Sequence, residues 1–295
     1  MIIGVGSTDM KKLKIAIDAR TLGSRPSGVG MYLNDFLEQL IKYDEFEWVL
    51  FTDVKESEYI KRFEARGISV IAWGKPVYKS VGVYAYFAFI KKALKQVKPD
   101  IFWEVNSIIP VNLGKNFKTL ITIHDMFPIQ YVRYFGKIYS YYFRFNLGVT
   151  LKNTDMILYN SEQTKDDTER YFPKAAKIPS CNAYIISNPL TRYVPPKDEN
   201  YFLYVGNMEK RKGVDILIKA YRENGGTRPL ILAGKMQEDD IEQLLENALT
   251  EVEGLTYLGY VSHTTRYDLY NNCSCFVFPS MAEGFGMPIL EVMKH

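Results

Sequence analysis

The 295-residue sequence has few cysteines, few histidines and little net charge. Its three cysteines cannot form a disulfide framework, which favours a reducing compartment such as the cytoplasm. A net charge of +3 does not call for a nucleic-acid partner. No run of about 18 apolar residues occurs, so the sequence predicts no membrane-spanning helix. It also lacks an Asp-x-Asp triplet and any His or Cys pair with ligand spacing, so we expect no bound metal ion.

What the sequence does have is a regular alternation of strand-like and helix-like segments. Seven short runs rich in β-branched or aromatic residues are predicted to be strands: residues 13–18, 46–52, 68–73, 100–105, 119–124, 155–160 and 183–187. Between these runs apolar residues recur at helical spacing, as in residues 32–41. This βαβ rhythm predicts a parallel sheet with helices on both faces.

A second series of the same kind follows the linker-like residues 195–200. Its predicted strands are residues 201–205, 229–233, 255–258 and 274–278, and its predicted helices begin near Gly213, Glu238 and Thr265. The predicted fold class is therefore α/β, with two doubly wound, Rossmann-like domains facing each other across a cleft. We place these domains at residues 1–192 and 193–295, and we expect residues 1–9 to be a non-native or disordered leader.

The segment with the clearest chemistry is residues 279–291, which follow a predicted strand directly. Gly284 and Gly286 allow close backbone approach, and the proline two residues later fits the first turn of a helix. A glycine-rich loop before a helix suits a phosphate, whereas Glu283 and Glu291 suit the hydroxyls of a sugar or ribose. A plain strand–turn–helix with two exposed glutamates fits the spacing alone equally well.

Two further candidate sites follow predicted strands in the first half of the chain. Residues 27–30 (Ser-Gly-Val-Gly) open a helix, so the amides of Gly28 and Gly30 can face a diphosphate or an acceptor hydroxyl. The spacing by itself favours an ordinary tight turn there. His124 ends a strand, where its imidazole can donate a hydrogen bond to a sugar hydroxyl or a leaving phosphate. Asp125 either orients that ring or caps the loop.

A pair of cations, Arg211 and Lys212, lies between the predicted strand 201–205 and the next helix. At that edge of the sheet two cations can neutralise a departing diphosphate. A solvated basic turn is the other interpretation of the same pair.

Residues 279–291 resemble the E-x7-E signature of retaining glycosyltransferases of family 4, which have the GT-B fold. Five further segments resemble motifs of that family in the expected order: residues 18–32, 122–125, 159–161, 187–189 and 204–213. The resemblance therefore covers nearly the whole chain. It implies a GT-B-like architecture with the donor nucleotide in the second domain and the acceptor in the first.

The resemblance also implies a role for each candidate residue. The predicted catalytic residues, which would contact the reacting sugar or the leaving diphosphate, are His124, Glu283, Arg211 and Lys212. The predicted donor-binding residues, with Glu291 accepting the ribose hydroxyls, are Gly28, Gly30, Gly206, Gly284, Phe285, Gly286 and Glu291. Many relatives carry an arginine where this sequence has Asn207, and Arg211 is expected to take over its role.

The activity implied by the resemblance is transfer of a hexose from a nucleotide sugar, with a GDP- or UDP-sugar as the expected donor. Transfer to a glycan or lipid-linked acceptor would proceed with retention and without a metal ion or cofactor. The segments resemble those of bacterial mannosyl- or rhamnosyltransferases of surface polysaccharide assembly. Because such relatives continue past the position of His295, we expect the second domain to be truncated. The alternatives are a fragment that only binds sugar nucleotides or polysaccharide, and a glycogen- or sucrose-type synthase of the same fold.

The 22 Tyr and 17 Phe are concentrated in two segments, residues 77–98 and 129–145, where they alternate with Lys and Arg. Mixed aromatic and basic faces suit a membrane interface or a lipid-linked acceptor. We therefore expect a cytoplasmic protein that can contact the inner face of the membrane peripherally. Core helices with cations at their edges are an equally good interpretation, and no motif supports RNA binding.

Overall fold

The computed structural model describes residues 11–24, 26–77, 79–114, 116–184, 195 and 197–294. The chain divides into two compact units, Met1–Ile186 and Ser187–His295, which we call the N-terminal and C-terminal units. The predicted domain boundary between residues 192 and 193 lies outside the described residues. The described residues also exclude the predicted leader at residues 1–9, the predicted motif at residues 187–189, and His295.

The N-terminal unit is an α/β unit built on a parallel sheet. Its strands are β1 (Leu13–Asp18), β2 (Phe46–Thr52), β3 (Ser69–Ala72), β4 (Ile101–Glu104), β5 (Lys118–Ile123), β6 (Met156–Tyr159) and β7 (Ser180–Asn182). Its helices are α1 (Gly28–Leu40), α2 (Glu58–Ala65), α3 (Lys79–Val97), α4 (Phe127–Gln130), α5 (Val132–Phe135), α6 (Lys137–Leu151) and α7 (Glu162–Tyr171). Within the described ranges the strands form one seven-stranded sheet in the order β3-β2-β1-β4-β5-β6-β7.

Two apolar cores cover the opposite faces of this sheet, because successive strand residues point to opposite sides. Ala16 on β1 pairs in register with Phe102 on β4, and both belong to the core that α3 and α6 cover. Their neighbours Ile17 and Trp103 also pair in register, and they belong to the core that α1 and α2 cover. The predicted parallel sheet with helices on both faces is therefore confirmed.

The C-terminal unit repeats this arrangement on a smaller scale. Its strands are β8 (Phe202–Val205), β9 (Leu230–Ala233), β10 (Leu255–Tyr257) and β11 (Cys275–Phe276). Its helices are α8 (Val214–Glu223), α9 (Asp239–Glu251), α10 (His263–Asn272) and α11 (Met287–Val292). In the part of the chain that the structure describes, the four strands are parallel in the order β10-β9-β8-β11, with a core on each face.

The predicted strand at residues 183–187 is wrong in its described part. The edge strand β7 lies three residues earlier, over the polar run Ser180–Asn182, which lacks the apolar pattern used for the prediction. Ala183 still donates its N–H to the Tyr159 carbonyl at 2.7 Å, so pairing with β6 ends only one residue beyond the strand. The predicted strand at residues 274–278 is also shorter than expected, since β11 covers only Cys275–Phe276.

No helix within the described ranges is both long enough and apolar enough to cross a membrane. The aromatic segment 77–98 corresponds to α3, and the segment 129–145 covers the end of α4, all of α5 and the first part of α6.

Two glycines of the C-terminal unit form a matched pair for measuring what a close backbone approach contributes to stability. Gly213 and Gly225 have φ angles of +66° and +67°, a conformation that L-residues adopt at a cost of about 1–2 kcal/mol. A Cβ on Gly213 would lie 2.2 Å from the Pro279 carbonyl oxygen, whereas a Cβ on Gly225 would have no atom within 4 Å.

We expect Gly213→Ala to lower the free energy of unfolding by about 3 kcal/mol or more and Gly225→Ala by only about 1 kcal/mol. Denaturant unfolding followed by circular dichroism would measure both losses. Equal losses would contradict the close approach of residues 210–213 to residue 279.

Candidate active site

In the C-terminal unit a short 3-10 turn, Lys210–Lys212, lies against the glycine-rich loop of residues 279–286. Lys212 Nζ forms an ion pair with Glu283 Oε1, and both side chains are about one-fifth exposed, at 17% and 21%. The Met281 N–H donates to the Arg211 carbonyl at 3.1 Å, which ties the turn to the loop. The fold thus brings together two residues, Lys212 and Glu283, that the sequence analysis placed separately.

Arg211 binds the same loop through its guanidinium group. Nη1 donates to the Ala282 carbonyl at 3.1 Å, and Nη2 donates to Glu209 Oε1 at 2.6 Å. The Arg211 side chain is only 15% exposed. Its positive charge therefore lies beside the loop, while two of its nitrogens hold the loop backbone and a neighbouring carboxylate.

Glu291, the second glutamate of the signature, lies on α11 and is held by residues of α10. Tyr270 donates its hydroxyl to Glu291 Oε2 at 3.0 Å, and Arg266 Nη1 lies 3.5 Å from the same oxygen. Burial, with the nearby charge of Glu291, raises the pKa of Tyr270, so the phenol stays a neutral donor. The sequence analysis missed Arg266 and Tyr270. Their spacing of four residues on one predicted helix was the available signal.

The structure gives the predicted donor-binding glycines of the C-terminal unit different local roles. A Cβ on Gly206 would lie 2.8 Å from the Tyr204 hydroxyl, which donates to the Asn207 carbonyl at 2.9 Å. Gly286 is buried, has a φ angle of +87° and directly precedes α11. Gly284 and Phe285 are partly buried in the same loop. The predicted contacts of Gly206 and of this loop with a donor nucleotide remain predictions.

In the N-terminal unit His124 directly follows β5, and its ring is already hydrogen-bonded. Nε2 lies 2.8 Å from the Val105 carbonyl oxygen, and the ring meets Tyr32 edge-on at 5.0 Å between centroids. A carbonyl can only accept, so Nε2 carries the proton. Burial lowers the pKa of His124 to about 4, against the smaller effect of this hydrogen bond. The neutral ring therefore has Nδ1 as its acceptor, whereas the sequence analysis expected it to donate to a ligand.

Neighbouring polar groups hold the backbone around His124. Asn160 Nδ2 and Thr164 Oγ1 donate to the His124 carbonyl at 2.9 and 3.1 Å. Asp125 Oδ1 accepts the N–H of Phe127 at 3.1 Å, which supports the loop-capping interpretation of that carboxylate. The predicted motif at residues 159–161 is thereby linked to the predicted site at His124.

Residues 27–30 begin α1, as the sequence analysis expected. Ser27 Oγ accepts the Gly30 N–H at 3.3 Å, so this amide is used to cap the helix. A Cβ on Gly30 would lie 2.0 Å from the Thr21 carbonyl oxygen, whereas Gly28 is exposed and a Cβ there would have no atom within 4 Å. Gly30 is thus required by packing, whereas among the described residues no contact requires a glycine at position 28.

Within the described ranges, no group of three or more His, Cys, Asp or Glu side chains is arranged so that it could hold a metal ion.

Two family models match the chain, and together they span residues 26–295. Residues 26–190 match the family described as Glycosyltransferase Family 4, and residues 191–295 match the one described as Glycosyl transferases group 1. The chain belongs to glycosyltransferase family 4. The predicted family resemblance is confirmed.

Curated relatives of this family 4 chain include O-antigen mannosyltransferases. O-antigen chain mannosyltransferase B of Escherichia coli is 32% identical over 219 residues, which are 68% of this chain and 56% of that protein. O-antigen chain mannosyltransferase RfbU of Salmonella typhimurium is 25% identical over 293 residues, covering 94% of this chain and 78% of that protein. The chain spans 28% of a third relative, the serotype-specific mannosyltransferase WbdA of Escherichia coli.

Solved structures show the same fold. HepE of Anabaena, in complex with UDP and glucose, superposes with a TM-score of 0.69 at 16% identity, covering 96% of this chain and 78% of that one. The lipopolysaccharide outer core galactosyltransferase WaaB, in its apo form, gives a TM-score of 0.60 at 17% identity with the same coverage. The predicted GT-B-like fold class is thereby confirmed.

The lowered pKa of His124 makes the stability of the N-terminal unit depend on pH. The folded value of about 4 lies below the ordinary value of 6.5, so the unfolded chain takes up the proton first as the pH falls. This contribution to stability is therefore complete above about pH 6.5 and is lost progressively towards pH 4.

Between pH 7 and pH 5 the native chain should lose about 2 kcal/mol more unfolding free energy than a His124→Asn variant. The three tryptophans, Trp48, Trp73 and Trp103, all lie in the N-terminal unit, so denaturant unfolding followed by tryptophan fluorescence reports on it. If the unfolding free energies of the two proteins changed with pH in parallel, the prediction would be contradicted. His124 would then take up its proton as readily in the folded chain as in the unfolded one.

Proposed function

We propose that this family 4 chain is a hexosyltransferase that moves mannose or a related hexose from a nucleotide sugar to a glycan or polyprenyl-linked acceptor of polysaccharide synthesis. The Lys212–Glu283 ion pair beside the glycine-rich loop carries the proposal, because it sets a cation and a carboxylate together at the ends of two neighbouring strands, β8 and β11. The mannosyltransferase relatives support the sugar, and the UDP complex of HepE supports a nucleotide-sugar donor such as a GDP- or UDP-sugar.

The ion pair provides a cation for the leaving diphosphate and a carboxylate for the transferred hexose. When the donor diphosphate enters, Lys212 can exchange the Glu283 carboxylate for phosphate oxygens and stabilise the leaving group. Glu283 is then available to accept hydrogen bonds from the hydroxyls of the hexose. Arg211 adds a second positive charge while it holds the loop backbone. In this proposal the two cations stabilise the leaving group without a metal ion or cofactor, and configuration is retained.

Each unit contributes one further substrate-binding residue in this proposal. Glu291, held by Tyr270 and Arg266, presents its carboxylate to the ribose hydroxyls of the donor. His124, with its Nε2 proton donated to Val105, uses Nδ1 to accept a hydrogen bond from a sugar hydroxyl.

A panel of GDP-, UDP- and dTDP-hexoses, each incubated with a polyprenyl-linked glycan, tests this function. Lys212→Met should lower kcat by about 100-fold, because it removes a positive charge from the leaving diphosphate. Glu291→Ala should weaken donor binding, measured by calorimetry, by about tenfold or more.

The matched control is Lys210→Met on the same turn, since Lys210 forms its ion pair with the exposed Asp240 on α9. We expect this variant to keep the native kcat. Donor binding without turnover would instead support a sugar-nucleotide-binding scaffold. If Lys210→Met lowered kcat as much as Lys212→Met, the Lys212–Glu283 ion pair would have no specific role in transfer.

We also propose that α6 contacts the inner face of the cytoplasmic membrane. Ile138, Tyr141 and Phe145 are 89%, 70% and 70% exposed, and their spacing of three and four residues places them on one face of the helix. Lys137 and Arg144 are exposed beside them. An apolar face with basic flanks complements an anionic lipid surface. The opposite face of α6 packs in the core, so the core interpretation describes that face and the proposed membrane contact concerns only the exposed one.

Co-sedimentation with vesicles of phosphatidylglycerol and phosphatidylcholine tests this contact. Binding should require the anionic lipid, fall with added salt, and drop about tenfold or more in the triple variant Ile138→Ser, Tyr141→Ser, Phe145→Ser. The control is Ile216→Ser with Leu249→Ser, which removes exposed apolar side chains from the C-terminal unit. Equal binding of the triple variant and the control would exclude α6 as the contact.

A further inference from the structure

A buried charge cluster lies at the carboxyl ends of β1 and β4, outside the site described above. We call Asp18, Arg20, Tyr86 and Glu104 the Arg20 cluster. Arg20 Nη1 lies 2.9 Å from Asp18 Oδ2, and Arg20 Nη2 lies 3.7 Å from Glu104 Oε1. Tyr86 donates its hydroxyl to Asp18 Oδ1 at 2.9 Å. Asp18 and Arg20 lie within the predicted family motif at residues 18–32, but the sequence predicts no role for either of them.

The cluster is almost completely closed to solvent. The side chains of Asp18 and Glu104 are 0% exposed and that of Arg20 is 9% exposed. The guanidinium group lies over the rings of Tyr86 and Phe87, at 5.4 and 5.1 Å from their centroids. Burial, together with the adjacent Asp18 carboxylate, raises the pKa of Glu104 well above its ordinary range. Arg20 is thus largely shielded from solvent, and its surroundings fix it in one orientation.

Arg20 also begins the 3-10 turn Arg20–Leu22, and this turn supports residues 27–30. The Thr21 carbonyl accepts the Ser27 N–H at 3.3 Å. The same carbonyl oxygen lies 2.0 Å from the position of a Cβ on Gly30, so the loop and the turn are in direct backbone contact. A shift of the turn must therefore shift residues 27–30.

We propose that Arg20 is a positioning residue for sugar transfer: its contacts with Asp18 and Glu104 fix the Arg20–Leu22 turn, and through Thr21 the turn fixes residues 27–30. The inference rests on the proposed function and on the prediction from sequence that residues 27–30 face the donor diphosphate or an acceptor hydroxyl. Arg20 itself touches neither. A displacement of the loop by about 1 Å is enough to slow a transfer reaction by about 100-fold.

Arg20→Lys is the direct test, because a lysine keeps the positive charge but its single ammonium cannot replace the fork that reaches both carboxylates. Hydrogen exchange in peptides spanning residues 26–34 should become about tenfold faster, while peptides from β5 and β6 keep their native exchange. In the transfer assay kcat should fall about tenfold or more.

The matched control is Arg66→Lys. Arg66 pairs with the Glu38 carboxylate at 2.7 Å, and Glu38 lies on α1 beyond the peptides that span residues 26–34. This variant should leave kcat and the exchange of residues 26–34 at their native values. Comparing the Tm of both variants separates loop positioning from a general loss of stability.

If Arg20→Lys does not fold, Asp18→Asn provides the second variant, since it keeps the side-chain shape and removes the nearer charge partner of Arg20. Native exchange at residues 26–34 in a folded variant would overturn the inference, as would faster exchange with native kcat. Hydrogen exchange at residues 26–34 can be measured on a protein that shows no sugar-transfer activity. A native chain that transfers no sugar would therefore refute the proposed function and leave the positioning of the loop to be decided by exchange alone.

Discussion

Parallel strand pairing is the constraint on which the placement of the candidate polar residues depends. In a parallel sheet all strands run the same way, so each carboxyl end opens on the same edge. Asp18 and Glu104 end neighbouring strands and pair in register, and His124 follows the next strand in the sheet. In the C-terminal unit, the turn after β8 and the loop after β11 meet for the same reason. The strand register alone therefore places residues that are far apart in sequence at one edge of the sheet, independently of their side-chain contacts.

The polar groups at these edges share a second property, which is local neutralisation of charge. Lys212 pairs with Glu283, Arg211 with Glu209, and Arg266 lies beside Glu291. Pairing lowers the cost of holding charges where water is partly excluded. In the proposed reaction it also means that a phosphate must compete with a carboxylate for Lys212. A donor that supplies two negative charges in one diphosphate suits that exchange better than a neutral sugar does.

The sequence predicts most of this fold because its strands carry strong local signals. β1 and β2 match the predicted bounds, since their apolar and β-branched residues alternate towards two cores. β7 was misplaced because an edge strand of three polar residues has no such pattern. The candidate residues of the site could be chosen from motifs, but their partners could not. His124 donates to Val105 on the preceding strand's end, and Glu291 binds Tyr270, 21 residues earlier. Such pairs are set by tertiary packing, which a single sequence does not display.

The position of β1 inside its sheet has a consequence for how the chain is made. β1 pairs with β2 on one side and with β4 on the other, so one of its edges has no partner until the residues of β4 have been synthesised. An apolar strand with an unpaired edge is a template for pairing with other chains. The strand pairing of this sheet is completed only by contacts between residues that are distant in sequence, and such contacts form slowly. A growing chain of this protein therefore carries an unpaired apolar strand edge, open to aggregation, while the segment between β2 and β4 is still being translated.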